Sequence, residues 1–281
     1  MTGQTRRLAG RVALVTGAGR GIGAATSRAL AAAGVRVVVS DVDGQAATAT
    51  AEQIGGLARA MRLDVADRPA FTAALDDVEH TFGRLDILVN NAAVLPVSQL
   101  ADEPDIATTR QLEINLHAVI HGTREAVRRM RPRGTGHIIN VSSAAGIVGL
   151  PGAATYSATK YGVIGLSEAV RAELRGTGVN ISYVVVRLVH TDMTTGFEAA
   201  RLMKPIPAET VAAAIIRTLR RPRFDVFVPR RLAAMHYTVK RLLPRAVGEP
   251  ALRLLHADRV VLAALGNPQR AAYERRICPP R

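Results

Sequence analysis

The chain has 281 residues and a formal net charge of +14, long enough for one large α/β domain with a well-buried core, and no Pro/Ser/Gly-rich stretch divides it into halves. Its single cysteine, Cys278, excludes an internal disulfide and a cysteine cluster for zinc, and suits a reducing cytoplasm. The charge is unevenly placed: from residue 220 onward fourteen Arg/Lys face four Asp/Glu, which puts +10 in the tail and +4 in the body.

The polar start Met1–Arg7 and the short apolar run Val12–Thr16 are too small for a signal-peptide core or a membrane span, so a cytoplasmic protein is expected. Short β-branched runs then alternate with Ala-rich stretches. Val12–Val15, Val35–Val39, Ala60–Leu63, Leu85–Val89, His137–Val141, Asn180–Val186 and Phe224–Val228 read as strands. Most are continuously apolar, the mark of burial on both faces. Ile22–Ala33, Asp67–Thr81, Thr108–Arg131 and Thr155–Arg175 have helical spacing. Such alternation predicts a Rossmann-like, doubly wound parallel sheet in a single domain, whose ligands bind beyond the carboxyl ends of the strands.

The first predicted turn is Thr16-Gly17-Ala18-Gly19-Arg20-Gly21-Ile22-Gly23. Gly17 permits a sharp turn, while Gly21 and Gly23 allow backbone to approach a pyrophosphate at the positive end of a helix. The second strand ends at Asp41, whose carboxylate can bond both ribose hydroxyls of adenosine and repels a 2′-phosphate. Arg20 pulls the other way, since a guanidinium there could pair with that phosphate. Repulsion at close range outweighs a flexible Arg, so NAD is expected, with NADP as the alternative.

Tyr156 and Lys160 are four residues apart on a predicted helix and share a face. A nearby cation should favour the phenolate and make Tyr156 a usable acid/base. The chain relies on Arg and has only Lys160, Lys204 and Lys240 as lysines, which hints at a need for a compact ammonium at Lys160. Ser143, at the end of a predicted strand, can hold a substrate oxygen. His117 and His121 share a helical face but lack a third ligand, so no metal is expected.

With Thr16–Gly23, Leu63-Asp64-Val65, Asn90-Asn91-Ala92, Asn115, Ser143, Tyr156 and Lys160 in this order, the chain resembles the short-chain dehydrogenase/reductase family from about Gly10 to Met193. The resemblance implies an NAD(P)-dependent enzyme acting on CH–OH groups, assembled as a homo-oligomer. It implies Tyr156 as catalytic acid/base and Ser143 as its partner on the substrate oxygen. Lys160 would lower the tyrosine pKa and bond the nicotinamide ribose, and Asn115 would hold a water in a proton relay. Asp64 and Val65 would contact adenine, Asn91 and Ala92 would line the cofactor near its ribose, and Ile22, Val189 and Thr191 would complete its site.

Two departures stand out. Ala93 replaces a usual Gly, and Val186-Arg187 replaces a usual Pro-Gly four residues before Thr191. Arg187 is expected to swing to solvent; the alternatives are that it binds an anionic substrate group or distorts the nicotinamide pocket. The second of these would leave a cofactor-binding sensor or scaffold with weak turnover. The segments Ala144–Pro151 and Met193–Ile206 are mainly small or apolar and favour an apolar alcohol or ketone, of steroid, retinoid or lipid type. The catalytic domain is expected over residues 8–229, with a basic helical extension over 230–281. Its leucines and arginines fit a helix docked on the protein or one lying on anionic lipid; docking is weighed above membrane contact, and nucleic acid below both.

Overall fold

The computed structural model describes residues 5–197, 205–234 and 259–278. Seven parallel strands form one sheet in the order β3-β2-β1-β4-β5-β6-β7. They are β1 (Val12–Thr16), β2 (Arg36–Asp41), β3 (Ala58–Arg62), β4 (Ile87–Asn90), β5 (Gly136–Ser143), β6 (Val179–Val186) and β7 (Asp225–Val228). The sequence reading places all seven, with ends shifted by at most two residues. At the edge strand β3 no residue is fully buried.

Successive residues of a strand face opposite sides of the sheet. Ala13 and Val15 therefore pack with Val37, Val39 and Ile139 under α1 (Gly21–Ala32), α2 (Gly44–Ile54) and α7 (Ala208–Arg220). Val12 and Leu14 pack with Leu88, Ile138 and Ile181 on the other face. That face is covered by α3 (Arg68–Phe82), α5 (Ala118–Met130) and α6 (Ala154–Glu173). Local chemistry fixes the helix starts. Asp43 and Asp67 cap α2 and α3 by accepting from Ala46 N and Ala70 N.

The predicted helix 108–131 is not one regular helix. It divides into α4 (Asp105–Leu112), a π turn over Glu113–His117, and α5. Asn115 lies within that π turn. Helices α2 and α7 were not singled out from the sequence.

Between β4, β5 and the helices runs a buried polar ladder. Asn90 Nδ2 donates to Asn140 Oδ1 at 2.9 Å, and Asn140 Nδ2 donates to Ser167 Oγ at 3.0 Å. Strand β1 is flanked by β2 on one side and β4 on the other, so the chain reverses its direction of travel across the sheet there. A crevice opens at such a switch point, beyond the carboxyl ends of the strands.

Candidate active site

A cavity of about 930 Å³ occupies that crevice. At one end lies the turn after β1. Gly17 has φ +60°, and a Cβ on it would stand 2.8 Å from Ala92 Cα; a Cβ on Gly23 would stand 2.1 Å from Gly17 O. Neither position admits a side chain. Helix α1 has no side-chain cap at its start, so its first N–H groups and the dipole's positive end are left for an anion. Thr16 and Asn91 hold the turn in place. Asn91 Nδ2 donates to Thr16 O at 2.9 Å and to Gly17 O at 3.0 Å, and Thr16 Oγ1 accepts from the Asn91 and Ala92 amides. Asn91 and Ala92 line the cavity, as do Ile22, Asp64, Val65, Val189 and Thr191.

Asp41 ends β2 at the cavity wall and accepts from Gly19 N at 2.9 Å and Asp43 N at 3.0 Å. Arg20 pairs with Asp43 and, at 3.2 Å, with Asp192. Its guanidinium is therefore shared between two carboxylates. The second pair ties the turn after β1 to the loop after β6, where a Cβ on Gly21 would stand 2.9 Å from Thr191 Cγ2. A glycine cradle, an open helix start and an acidic residue at the end of β2 together fit a dinucleotide without a 2′-phosphate.

Ser143, Tyr156 and Lys160 all line this cavity. The end of β5 carries Ser143 and α6 carries the other two. Ser143 lies close enough to the Tyr156 phenol to favour its charged form. Lys160 is buried, donates to Val141 O at 3.2 Å, and places its ammonium 5.5 Å from the centre of the Tyr156 ring. The electrostatics differ from expectation. Burial pushes Tyr156 up to about 12, against the pull of Ser143, and burial pushes Lys160 down to about 8. Removing both groups from water penalises both charged forms, and this outweighs the attraction expected from their spacing.

Asn115 is fully buried and locked to one residue: Nδ2 donates to Val94 O, and Oδ1 accepts from Val94 N, both at 2.8 Å. Its side chain positions the segment that follows β4. His121 bonds Thr72 Oγ1 at 3.0 Å, away from the cavity. Arg187 does not swing to solvent. It is half-buried and lines the cavity with Arg231, and its backbone amide donates to Val228 O at 3.1 Å at the end of β7.

Sequence reasoning missed the far wall. Helix α8 is Arg231–Ala234, α9 is Arg259–Leu262 and α10 is Ala271–Ile277. Val261, Tyr273, Arg276 and Ile277 line the cavity. Arg270 is only 1% exposed, and its guanidinium donates to Leu95 O at 2.8 Å and to Met193 O and Thr195 O at 3.0 Å. Arg276 reaches Asp192 at 3.5 Å. The one available signal was the Arg270–Glu274 spacing of a helical pair, which a search for amphipathic patterns cannot tell from any exposed helix. This part of the tail is docked on the catalytic body. Of the six leucines on which the membrane reading rested, Leu242, Leu243, Leu252, Leu254 and Leu255 lie outside the described residues, and Leu262 ends α9. Among the described residues no helix is long and apolar enough to cross a membrane.

A glycine cradle at the switch point of a doubly wound sheet, with a serine, tyrosine and lysine beside it, defines a dinucleotide-dependent oxidoreductase. Residues 11–202 match the short chain dehydrogenase family. A 3-alpha-(or 20-beta)-hydroxysteroid dehydrogenase of Mycobacterium tuberculosis is 39% identical over 188 residues, covering 67% of this chain and 72% of that protein. A cyclohexanol dehydrogenase of an Acinetobacter species is 36% identical over 201 residues, covering 70% and 80%. The crystal structure of a short-chain dehydrogenase/reductase from Burkholderia phymatum in complex with NAD superposes with a TM-score of 0.76 at 25% identity, covering 82% of this chain and 92% of that one. The chain belongs to the short-chain dehydrogenase/reductase family and is an NAD(P)-dependent oxidoreductase.

Proposed function

We propose that the enzyme interconverts an apolar secondary alcohol and its ketone, with Tyr156 as general acid/base and NAD as the preferred cofactor. The observation that carries this reading is that Ser143, Tyr156 and Lys160 line one cavity walled by Leu95, Leu150, Met193, Phe197 and Ile277. When bound, the nicotinamide ring supplies or accepts the hydride. Gly17, Gly21, Ile22 and Gly23 hold the pyrophosphate, Asp41 the adenosine ribose, and Asp64 and Val65 the adenine. Asn91 holds the turn, Ala92 lines the cofactor, and Val189 and Thr191 receive the carboxamide. Tyr156 protonates the carbonyl oxygen in reduction and takes the hydroxyl proton in oxidation, while Ser143 fixes that oxygen. Lys160 bonds the nicotinamide ribose. Asn115 acts as a positioning residue through Val94, and any water it holds is held by its main chain.

A spectrophotometric screen of steroid, retinoid, alicyclic and fatty alcohols with NAD and NADP tests the reading. Turnover confined to polar, charged sugars would overturn it.

Two carboxylate-bound contacts leave Arg20 little capacity for a 2′-phosphate, and Asp41 is nearly buried. Two like charges about 4 Å apart near a protein surface repel by roughly 4 kcal/mol before screening. Asp41→Asn keeps one acceptor for the Gly19 or Asp43 amide and removes the charge. It is expected to shift the kcat/KM ratio toward NADP by about 10- to 100-fold. An unchanged ratio would remove Asp41 from the selectivity argument.

A second reading rests on Arg187. A guanidinium on the cavity wall where the family usually has glycine would crowd the nicotinamide and leave a cofactor-binding protein with weak turnover. Arg187→Gly distinguishes the two. On the dehydrogenase reading kcat changes by less than about tenfold; on the sensor reading it rises by more than that.

A further inference from the structure

Tyr273 belongs to neither the cofactor site nor the Ser143–Tyr156–Lys160 centre. It sits on α10, is 7% exposed, and lines the same cavity as Tyr156. Its oxygen accepts a hydrogen bond from Leu95 N at 3.0 Å. A phenol also has one proton to give, and among the described residues no acceptor takes it. Burial pushes the Tyr273 pKa well above that of an ordinary phenol, so the proton stays in place at any working pH.

The ring is held rather than free. Arg270 and Arg276 flank it, with guanidinium carbons 5.3 Å and 5.5 Å from its centre. Arg270 is in turn fixed by three backbone carbonyls. A buried donor left unmet is costly, and a rigid one on a cavity wall is completed by whatever fills the cavity. Val94, Leu95, Met193 and Ile277 supply apolar wall beside it, and Arg110 and Arg276 also line the cavity. Tyr273 and Tyr156 line one cavity, so a single occupant can meet both residues.

We infer that Tyr273 is a specificity-determining residue that donates a hydrogen bond to a second oxygen of the substrate while Tyr156 and Ser143 hold the reacting one. The preferred substrates are then apolar molecules with two oxygens, such as hydroxyketones, diols or diketones on a hydrocarbon frame. This deepens the functional reading above and rests on its substrate pocket.

The test compares wild type with Tyr273→Phe on two matched pairs, decalol with a hydroxydecalone and cyclohexanol with a hydroxycyclohexanone, using NAD. In wild type the dioxygenated member of each pair is expected to have a KM lower by about 5- to 10-fold, and the variant loses that preference. A preference of equal size in both proteins, or none in wild type, overturns the inference. A purely structural role for the hydroxyl would raise both KM values in parallel and keep their ratio, which also overturns it. If wild type turns over no alcohol, the dehydrogenase reading of this pocket fails instead. Tyr273 is then judged by calorimetry of decalindione and decalone on the NAD-loaded proteins. A stronger affinity for the dione in wild type that vanishes in Tyr273→Phe supports the inference, and equal affinities or no binding of either overturn it.

Discussion

Tyr156→Phe is expected to lower kcat by about 10²- to 10⁴-fold, the usual contribution of a positioned general acid/base, while the protein still binds NADH. The ring of Phe fills the same space against Ala153 and Leu95, so the fold and the cofactor turn are untouched. Only the phenolic hydroxyl is lost. NADH titration together with single-turnover kinetics checks this. Equal losses of binding and turnover would point to a structural role. The pH dependence follows from the same burial. With Tyr156 raised to about 12, the phenol keeps its proton through the neutral range. Ketone reduction needs that proton and is expected to be flat there. Alcohol oxidation needs the phenolate and climbs as pH rises. Lys160, lowered to about 8, loses its ammonium above that point, and the phenolate loses its nearby cation. The climb is expected to flatten there.

Arg270→Met is expected to open the far wall of the cavity. It leaves the carbonyls of Leu95, Met193 and Thr195 without their donor, at roughly 1–3 kcal/mol for the buried Leu95 carbonyl and less for the two part-buried ones. It also removes the cation that stacks on Phe197 and Tyr273. Local release of α10 limits the total cost, so the main readout is the active site rather than the melting temperature. KM for an apolar substrate should rise at least about tenfold, with cofactor affinity retained, because the turn at Gly17–Gly23 makes no contact with Arg270. The Leu95 amide, which donates to Tyr273, should lose its protection from hydrogen exchange. Unchanged KM and unchanged protection at Leu95 would refute the role of Arg270 as the anchor of this wall.

Sequence reading reached the sheet because a buried parallel strand leaves a plain trace: continuous β-branched runs such as Val37-Val38-Val39, whose neighbours pack on both faces. The helix over 108–131 was misread as continuous because a π turn adds one residue per turn without any residue type that marks it. The Tyr156–Lys160 pairing was visible from spacing, but its electrostatics were not. Spacing gives proximity; the balance between a cation's attraction and the loss of water depends on burial. Arg187 was misplaced for a related reason. Which way a long side chain turns depends on neighbours distant in the chain, and Arg187 shares the cavity wall with Arg231, more than forty residues later.

The sequence by itself determined the nucleotide end of this protein. Gly17, Gly21 and Gly23, Asp41, and the Tyr156–Lys160 pair are local patterns, each written within a few residues of one strand end or one helix turn. Only the tertiary structure decided which other segments close the substrate end. Leu95, Tyr273 and Ile277 come from two stretches of chain far from the expected Met193–Ile206 wall, and the basic tail, for which docking was weighed above membrane contact, is folded back in its described part onto the active site. The reason is physical. A phosphate cradle is made by backbone geometry that glycine dictates in place, whereas a pocket wall is made by whichever distant segment finds buried partners there, as Arg270 does with its three carbonyls.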